Sequence, residues 1–437
     1  MQSQQAGRGA ELSEVRMSQE RTAKLEGLME QAIKPENWEA SLRAIERNNG
    51  AAGPDGMKAD ELRGHLAAHG EVIKKRLLEG SYKAGAARRR DIPKASGGTR
   101  PLSIPNVQDR FIQQLLLGVL QYEFEARFSP HSYGFRPGRK AHDAVKAAQG
   151  FAKEGYTHVV DMDITKFFDK VNHDILMNKI GSVIGDKRVL RIIGRMLRAG
   201  VVMPDGVHVR SEEGTPQGGP LSPLLANIYL DALDKELEKR GLRFARYADD
   251  CNIYTKSAKA AQRVLESITG WIARHLRLEV SEQKSGTGRP WERKFLSFVI
   301  TAAMCISIAP SSLTRFEDKV RELWRPKQSL NSTQLRDQWE QYVRGWWNYY
   351  RLCEDRRPIF RKEGWIRRHI RKCFWQRWHG STGRVAALKR LGVPPHRAGI
   401  GRCSRGAWRM ARHATIQEAL KNGTLRKYRF IMPSDLG

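Results

Sequence analysis

The stretch FARYADDCNIYT, residues 244–255, sets Asp249 and Asp250 side by side in a chain with 77 Lys and Arg against 47 Asp and Glu. Adjacent carboxylates repel, so a sheltered pair needs solvent, a basic side chain or a divalent cation to hold it. The flanking apolar runs have strand composition, and a tight turn between them places both carboxylates at a hairpin tip that can face a cleft. Taken alone, such a tip is weak evidence, because an exposed acidic turn looks the same. A second acidic strand changes the balance. In THVVDMDITKFF (157–168) the period of two puts Asp161 and Asp163 on one face and Val160, Met162 and Ile164 on the other. Carboxylates gathered by two strands cannot stay unpaired in a core, where desolvation costs several kcal/mol per ion. Divalent oxygen-seeking cations resolve the conflict. Two Mg²⁺ about 4 Å apart would activate a hydroxyl and stabilise the leaving oxygen of an in-line phosphoryl transfer, and Mn²⁺ is expected to substitute.

Nucleotidyl transfer also needs cations for the incoming triphosphate. Lys94 and Arg100 lie on either side of the ASGG turn in AARRRDIPKASGGTRPLSIPN (86–106), which reads as two short strands. Lys offers a point charge and Arg a bidentate fork, although a solvated basic turn would have the same composition. Gly218 and Gly219 in TPQGGP permit close backbone approach to a ligand, or simply a helix-entry turn. Ser222 is a candidate N-cap there, with Pro223 at the first helical position.

Working outward, residues 21–78 have helical spacing interrupted by the loop NNGAAGPDGM (48–57). Residues 109–128 read as a buried helix, 258–276 as a helix and KFLSFVI (294–300) as a strand. From about residue 311 the pattern is all helix. The fold expected is therefore α/β (α+β), with an antiparallel sheet carrying the aspartates, followed by a basic helical region.

The formal charge of +30 favours a polyanionic partner, most commonly nucleic acid. In RKEGWIRRHIRKCFWQRW (361–378) seven Lys and Arg accompany one Glu, with three Trp interleaved. The arginines and lysine expected to touch RNA are Arg367, Arg368, Arg371, Lys372 and Arg377, while the Trp residues are expected in the core. Five scattered cysteines form no CxxC pair, which argues against a zinc module and a disulfide framework and for a reducing compartment. The first 21 residues lack the apolar core of a signal peptide, and no stretch is apolar enough to span a bilayer. The expected location is the cytoplasm.

In order, IPKASGGTRPLSIP, HSYGFRPGRKAHDAV, DMDITKFFDKVNHDIL, GTPQGGPLSPLLANIYLD, RYADDCNIY, LRLEVSEQKS and KFLSFVI resemble the successive blocks of group II intron reverse transcriptases. NNGAAGPDGM resembles the loop preceding the fingers, and WEQYVRGWWNYYRLCEDRRPIFRKEGWIRRHIRKCFWQRWHG resembles the maturase, or thumb, domain. The resemblance covers roughly residues 25–380. It implies a right-hand polymerase: N-terminal extension and first finger helices at 1–80, fingers and palm at 81–308, thumb at 309–380, and a short basic DNA-binding-like extension at 381–437.

The resemblance also implies roles. Asp163, directly before the Ile-x-x-Phe-Phe segment, matches the first catalytic aspartate, and Asp249 and Asp250 match the catalytic pair. The metal set implied is Asp163, Ile164, Asp249 and Asp250. Phe168 falls where the family's aromatic gate excludes a ribose 2′-hydroxyl, and Gln217 would lie by the nascent base pair beside Gly218. Lys284 would lie near the primer terminus. Arg136, in the Gly/Pro loop, is expected to join the RNA contacts. FLSF stands where the family usually has Leu-Gly, a mild departure affecting primer grip. The chain resembles the compact branch without a zinc-dependent HNH endonuclease. The function implied is RNA-directed DNA polymerase and maturase, binding its intron RNA, promoting splicing and copying the RNA into DNA at a target site during retrohoming. Expected partners are that RNA, target DNA, a primer strand and dNTPs. Two alternatives are a splicing factor with vestigial polymerase activity and a host-adopted enzyme of DNA repair or phage defence.

Overall fold

The computed structural model describes residues 24–93, 98–326 and 329–437. They form two units, one holding residues up to Ala148 with Tyr156–Gly288, the other Gln149–Gly155 with Arg289–Gly437.

In the first unit the aspartate-bearing segments meet in one antiparallel sheet. Its strands are β3 (His158–Met162), β6 (Arg243–Tyr247), β7 (Asp250–Thr255) and β8 (Gly286–Gly288), in the order β6-β7-β3-β8. Pairing runs His158↔Thr255 to Met162↔Cys251, and Tyr247↔Asp250 closes the hairpin. The expected alternation holds. Val160, Met162 and Ile164 are buried, while Asp161 and Asp163 are only half-buried on the opposite face.

A second sheet has the order β2-β1-β4-β5. Strands β1 (Ala87–Pro93) and β2 (Thr99–Ile104) form the expected hairpin, and β4 (Val201–Val202) and β5 (His208–Val209) extend it. The longer helices of this unit are α1 (Pro35–Asn48), α2 (Leu62–Leu78), α3 (Val107–Glu125), α4 (His173–Val183), α5 (Lys187–Arg198), α6 (Ser222–Lys239) and α7 (Ala258–Leu276). They share one apolar core with the inward face of β3, through Phe111 and Leu115 of α3, Ile228 and Leu230 of α6 and Ile268 and Ile272 of α7. Ser222 is the first residue of α6 rather than its cap. Its hydroxyl donates to Pro216 O at 2.6 Å, bracing the TPQGGP loop, and Pro223 follows in the first turn.

From Arg289 onward the second unit opens with a hairpin of β9 (Phe298–Ile300) and β10 (Ile306–Ile308). The strand expected over 294–300 is interrupted. Leu296 and Ser297 both have positive φ, 49° and 72°, and Phe295 and Phe298 exchange backbone hydrogen bonds of 2.8 and 2.9 Å across them. Those are the features of a type I′ turn, which glycine adopts most readily. The rest is helical: α8 (Pro310–Leu323), α9 (Ser332–Tyr350), α10 (Glu363–Arg377) and α11 (Gly380–Arg390). Trp324, Trp339 and Phe374 pack with Leu420, Leu425 and Phe430, so the segment after residue 381 contributes to the same core as the helices before it.

Candidate active site

The turn carrying the acidic pair is Ala248–Asp249, with Asp250 opening β7. Ala248 lies at φ 59°, a conformation that side chains avoid, so its surroundings must impose it. Two neighbours do so. Gly134 approaches so closely that a Cβ there would sit 2.3 Å from Ala248 N and 2.9 Å from Tyr247 C. Beneath the turn lies Arg246, fully buried, donating through Nη1 to Ala248 O at 2.8 Å. The same guanidinium donates through Nε to Asp234 Oδ1 at 2.7 Å and through Nη2 to Ser132 Oγ at 2.9 Å. Asn227 accepts from Arg246 and donates to Gly134 O at 2.8 Å. Sequence reasoning missed this bracket. Its signal was present, since Asn227 and Asp234 lie seven residues apart on one face of α6, polar positions within an apolar run.

Asp163 lies one residue beyond β3 and is clasped by the loop 281–285. Its N–H donates to Ser285 Oγ at 2.9 Å, and its carbonyl accepts from Ser281 N at 2.9 Å. Its carboxylate accepts from Lys284 Nζ at 2.9 Å, a pair in which Lys284 is 70% exposed. So solvated a pair contributes well under ~1 kcal/mol to stability and yields readily to a stronger cation. Ile164, next along, is buried and bridges Val280.

Asp249 is half-buried, and burial raises its pKa first, the charge of Asp163 next, while Arg100 and Arg246 pull it down. The two carboxylates and Arg100 thus share one electrostatic site. Among the described residues, no group of three His, Cys, Asp or Glu side chains stands ready to hold a metal ion unaided. Mg²⁺ is commonly held by one or two carboxylates, with waters and substrate phosphates completing its shell. A mutually repelling pair with one exposed lysine as counter-ion fits that demand.

A pocket of about 400 Å³ is lined by Phe168, Gln217 and Gly218 together with Arg110, Gln114 and Phe135, whose ring centroid lies 6.4 Å from that of Tyr247 at the end of β6. It unites three of the residues expected at the nucleotide. Phe168 packs edge-on to Phe167, ring centroids 5.2 Å apart, and its carbonyl accepts from Thr215 N at 2.7 Å. Gln217 O accepts from Ser103 N at 2.7 Å, tying the glycine loop to β2. The tight approach expected at Gly218 is to that strand: at φ 126°, a Cβ would come within 2.6 Å of Ser103 O. Arg100 is exposed on β2, and Lys94 lies outside the described residues.

The residues expected at RNA divide in two. Arg136 is buried, its guanidinium bonded to Glu125 and to the carbonyls of Ser129 and Ser132. Arg371 is also buried and donates to Leu420 O, while Arg377 donates to Leu330 O. These three brace the protein. Arg367 pairs with Glu363 at 3.3 Å, and Arg368 lies 3.7 Å from the ring centroid of Trp408, both half-buried, as is Lys372. As expected, Trp375 is buried, and Trp365 and Trp378 pack against the core.

Two family models match in tandem: "Reverse transcriptase (RNA-dependent DNA polymerase)" over residues 92–300 and "Group II intron, maturase-specific domain" over residues 313–392. "Protein YkfC" of Escherichia coli (strain K12) is 30% identical over 60% of this chain and 79% of its own length. The chain belongs to the group II intron reverse transcriptase and maturase family. The "Group II intron-encoded protein LtrA" of Lactococcus lactis subsp. cremoris is 34% identical over 49% of this chain and 35% of its own length. The "Uncharacterized 91 kDa protein in cob intron" of Schizosaccharomyces pombe is 38% identical over 42% of this chain and 22% of its own length. The chain therefore spans about a third or less of those two intron-encoded relatives. The α/β sheet region and the helical region that follows agree with the fold expected of this family. Intron-RNA binding is the coarse property the maturase-specific match carries. Among the described residues no helix is long and apolar enough to cross a membrane.

Proposed function

We propose that the first unit polymerises DNA on an RNA template and that the second grips intron RNA to assist its splicing, the two together serving retrohoming. The observation that carries the polymerase reading is the pairing of Asp163 and Asp249 at the ends of antiparallel strands, where the charge of one hinders ionisation of the other.

In this reading Asp163 and Asp249 hold the divalent cations, with Asp250 and Ile164 beside them. A cation bound there supplies Lewis acidity to the primer 3′-hydroxyl and the triphosphate. The other roles belong to the chain itself. Arg100, with Lys94, neutralises phosphate oxygens, and Lys284 releases Asp163 to orient the primer terminus. Phe168 stands against the deoxyribose, where a 2′-hydroxyl would clash, and Gln217 and Gly218 support the nascent base pair from the same pocket. Arg246 and Gly134 fix the turn so that Asp249 meets the substrate preorganised. Arg367, Arg368 and Lys372 on α10 are the RNA contacts of the second unit, whose maturase-specific match supports the splicing role.

Primer extension on a defined RNA template with dNTPs and Mg²⁺ tests this, beside Asp249→Asn and with RNA affinity measured for both. Full-length cDNA from the wild type alone, at equal affinity, is the expected result. A wild type that binds RNA tightly and extends nothing would overturn the polymerase and leave the splicing factor.

A further inference from the structure

The second unit contains a pocket that the polymerase does not use. It has a volume of about 340 Å³, within the range of small-ligand sites, and lies between the start of α9, the end of α10 and the segment 420–430. Its floor is apolar: Phe374, Leu420 and Phe430 are all buried. One wall is Trp378, half-buried and packed against two apolar clusters of the unit. The rim is Tyr428, 49% exposed.

The backbone that carries Tyr428 is held in place. Its N–H donates to Thr424 O at 3.1 Å, the next residue Arg429 lies at φ 61° with an ion pair to Glu340 at 2.6 Å, and Phe430 is anchored in the core. A large aromatic carried on such a backbone at an apolar opening offers a stacking surface.

Ala387 and Leu391 add apolar lining, and the polar lining is cationic and hydroxylic. Arg336 is oriented by Asp337 at 2.8 Å, and Arg390 is exposed, its side chain making no hydrogen bond or ion pair to any described residue. Ser332 and Thr333 add hydroxyls, and no carboxylate lines the pocket. An isolated phosphate would have no use for the aromatic walls. An apolar ligand would have no use for two guanidinium groups. A nucleotide uses both, with its base between Tyr428 and Trp378, its edge on the hydroxyls and its flanking phosphates on the arginines.

We infer that this pocket captures the base of one unpaired RNA nucleotide, flipped out of a bulge or loop. The inference rests on the reading of this unit as RNA-binding. Capture of a single base would let the unit read RNA shape as well as charge.

The test uses the full chain and three fluorescent RNA hairpins: one with a single bulged adenosine, one with an abasic residue at the bulge, and one fully paired. The bulged hairpin is expected to bind roughly ten- to hundred-fold more tightly than the abasic one. Tyr428→Ala should erase that advantage, Tyr428→Phe should keep it, and Arg390→Gln should reduce it, while the fully paired hairpin binds all variants alike. DNA versions of the hairpins distinguish the sugar. An advantage confined to RNA supports the inference as stated, whereas an equal advantage with DNA overturns the RNA assignment and leaves a site for any unpaired nucleotide. Absence of a bulge advantage in the wild type, or its persistence in Tyr428→Ala, overturns the pocket while leaving RNA binding intact. Failure of every hairpin to bind overturns the underlying RNA-binding reading instead.

Discussion

Arg246 and Asp234 form an ion pair of 2.5 Å in which both side chains are fully buried, directly beneath the turn that presents Asp249. A buried pair is costly to assemble but far costlier to break, because the survivor keeps its charge without a partner. Here the pair also has a task, since the Arg246 donor to Ala248 O holds the turn in its left-handed conformation.

Arg246→Ala should therefore lose about 3–5 kcal/mol of stability. Arg246→Lys, which restores the charge without the fork, should recover only part of it. Thermal unfolding of both variants measures this. Equal melting temperatures for wild type and Arg246→Ala would mean that the bracket is not structural.

Gly134→Ala separates turn geometry from stability. The Cβ it adds meets backbone atoms of Tyr247 and Ala248, which cannot rotate aside, so the turn itself must move. A displacement near 1 Å at reacting groups costs on the order of 10²-fold in rate. We expect kcat for primer extension to fall by about that factor, with RNA affinity unchanged. A rate within twofold of wild type would show that the turn tolerates displacement.

Burial and the Asp163 charge raise the pKa of the ion-free Asp249 carboxylate. Protons should therefore compete with Mg²⁺ for it from a higher pH than for an ordinary aspartate, and the apparent Mg²⁺ affinity should weaken correspondingly early as pH falls. Arg100 acts in the opposite sense. Arg100→Gln removes a positive charge that favours ionisation, so that onset should move further up. An onset that stays put or moves down would place another group in control.

Ser297→Gly addresses the interrupted strand. Ser297 at φ 72° carries a strain that glycine relieves, and its hydroxyl makes only an exposed 3.3 Å bond from Arg315. Net stabilisation of about 0.5–1 kcal/mol is expected, read as a higher unfolding temperature. A loss would show that the Arg315 contact outweighs the strain.

These cases also mark what the sequence makes legible. The alternation in VVDMDI determines which carboxylates face outward, and the period of two is reliable because one face of β3 packs into the core. Helices with strong periodicity, such as α7 over 258–276, are equally plain. Arg246 was hidden because a charged residue in a strand reads as exposed unless its partners are known, and those lie on another element. The turn at Leu296–Ser297 was hidden because neither residue advertises positive φ. Composition announces that arginines are plentiful but not where they point: Arg136 and Arg371 face inward to carboxylate or carbonyl oxygens, whereas Arg390 meets solvent at a pocket rim.

The central claim is that Asp163 and Asp249 act as one unit in nucleotide addition. Single-turnover incorporation of one dNTP by Asp163→Asn, Asp249→Asn and the double variant tests it most directly. Each single substitution should slow incorporation by roughly 10²- to 10³-fold or more, and the double variant should be little slower than the worse single. Losses that multiply in the double variant, or near-wild-type incorporation by either single, would contradict the claim.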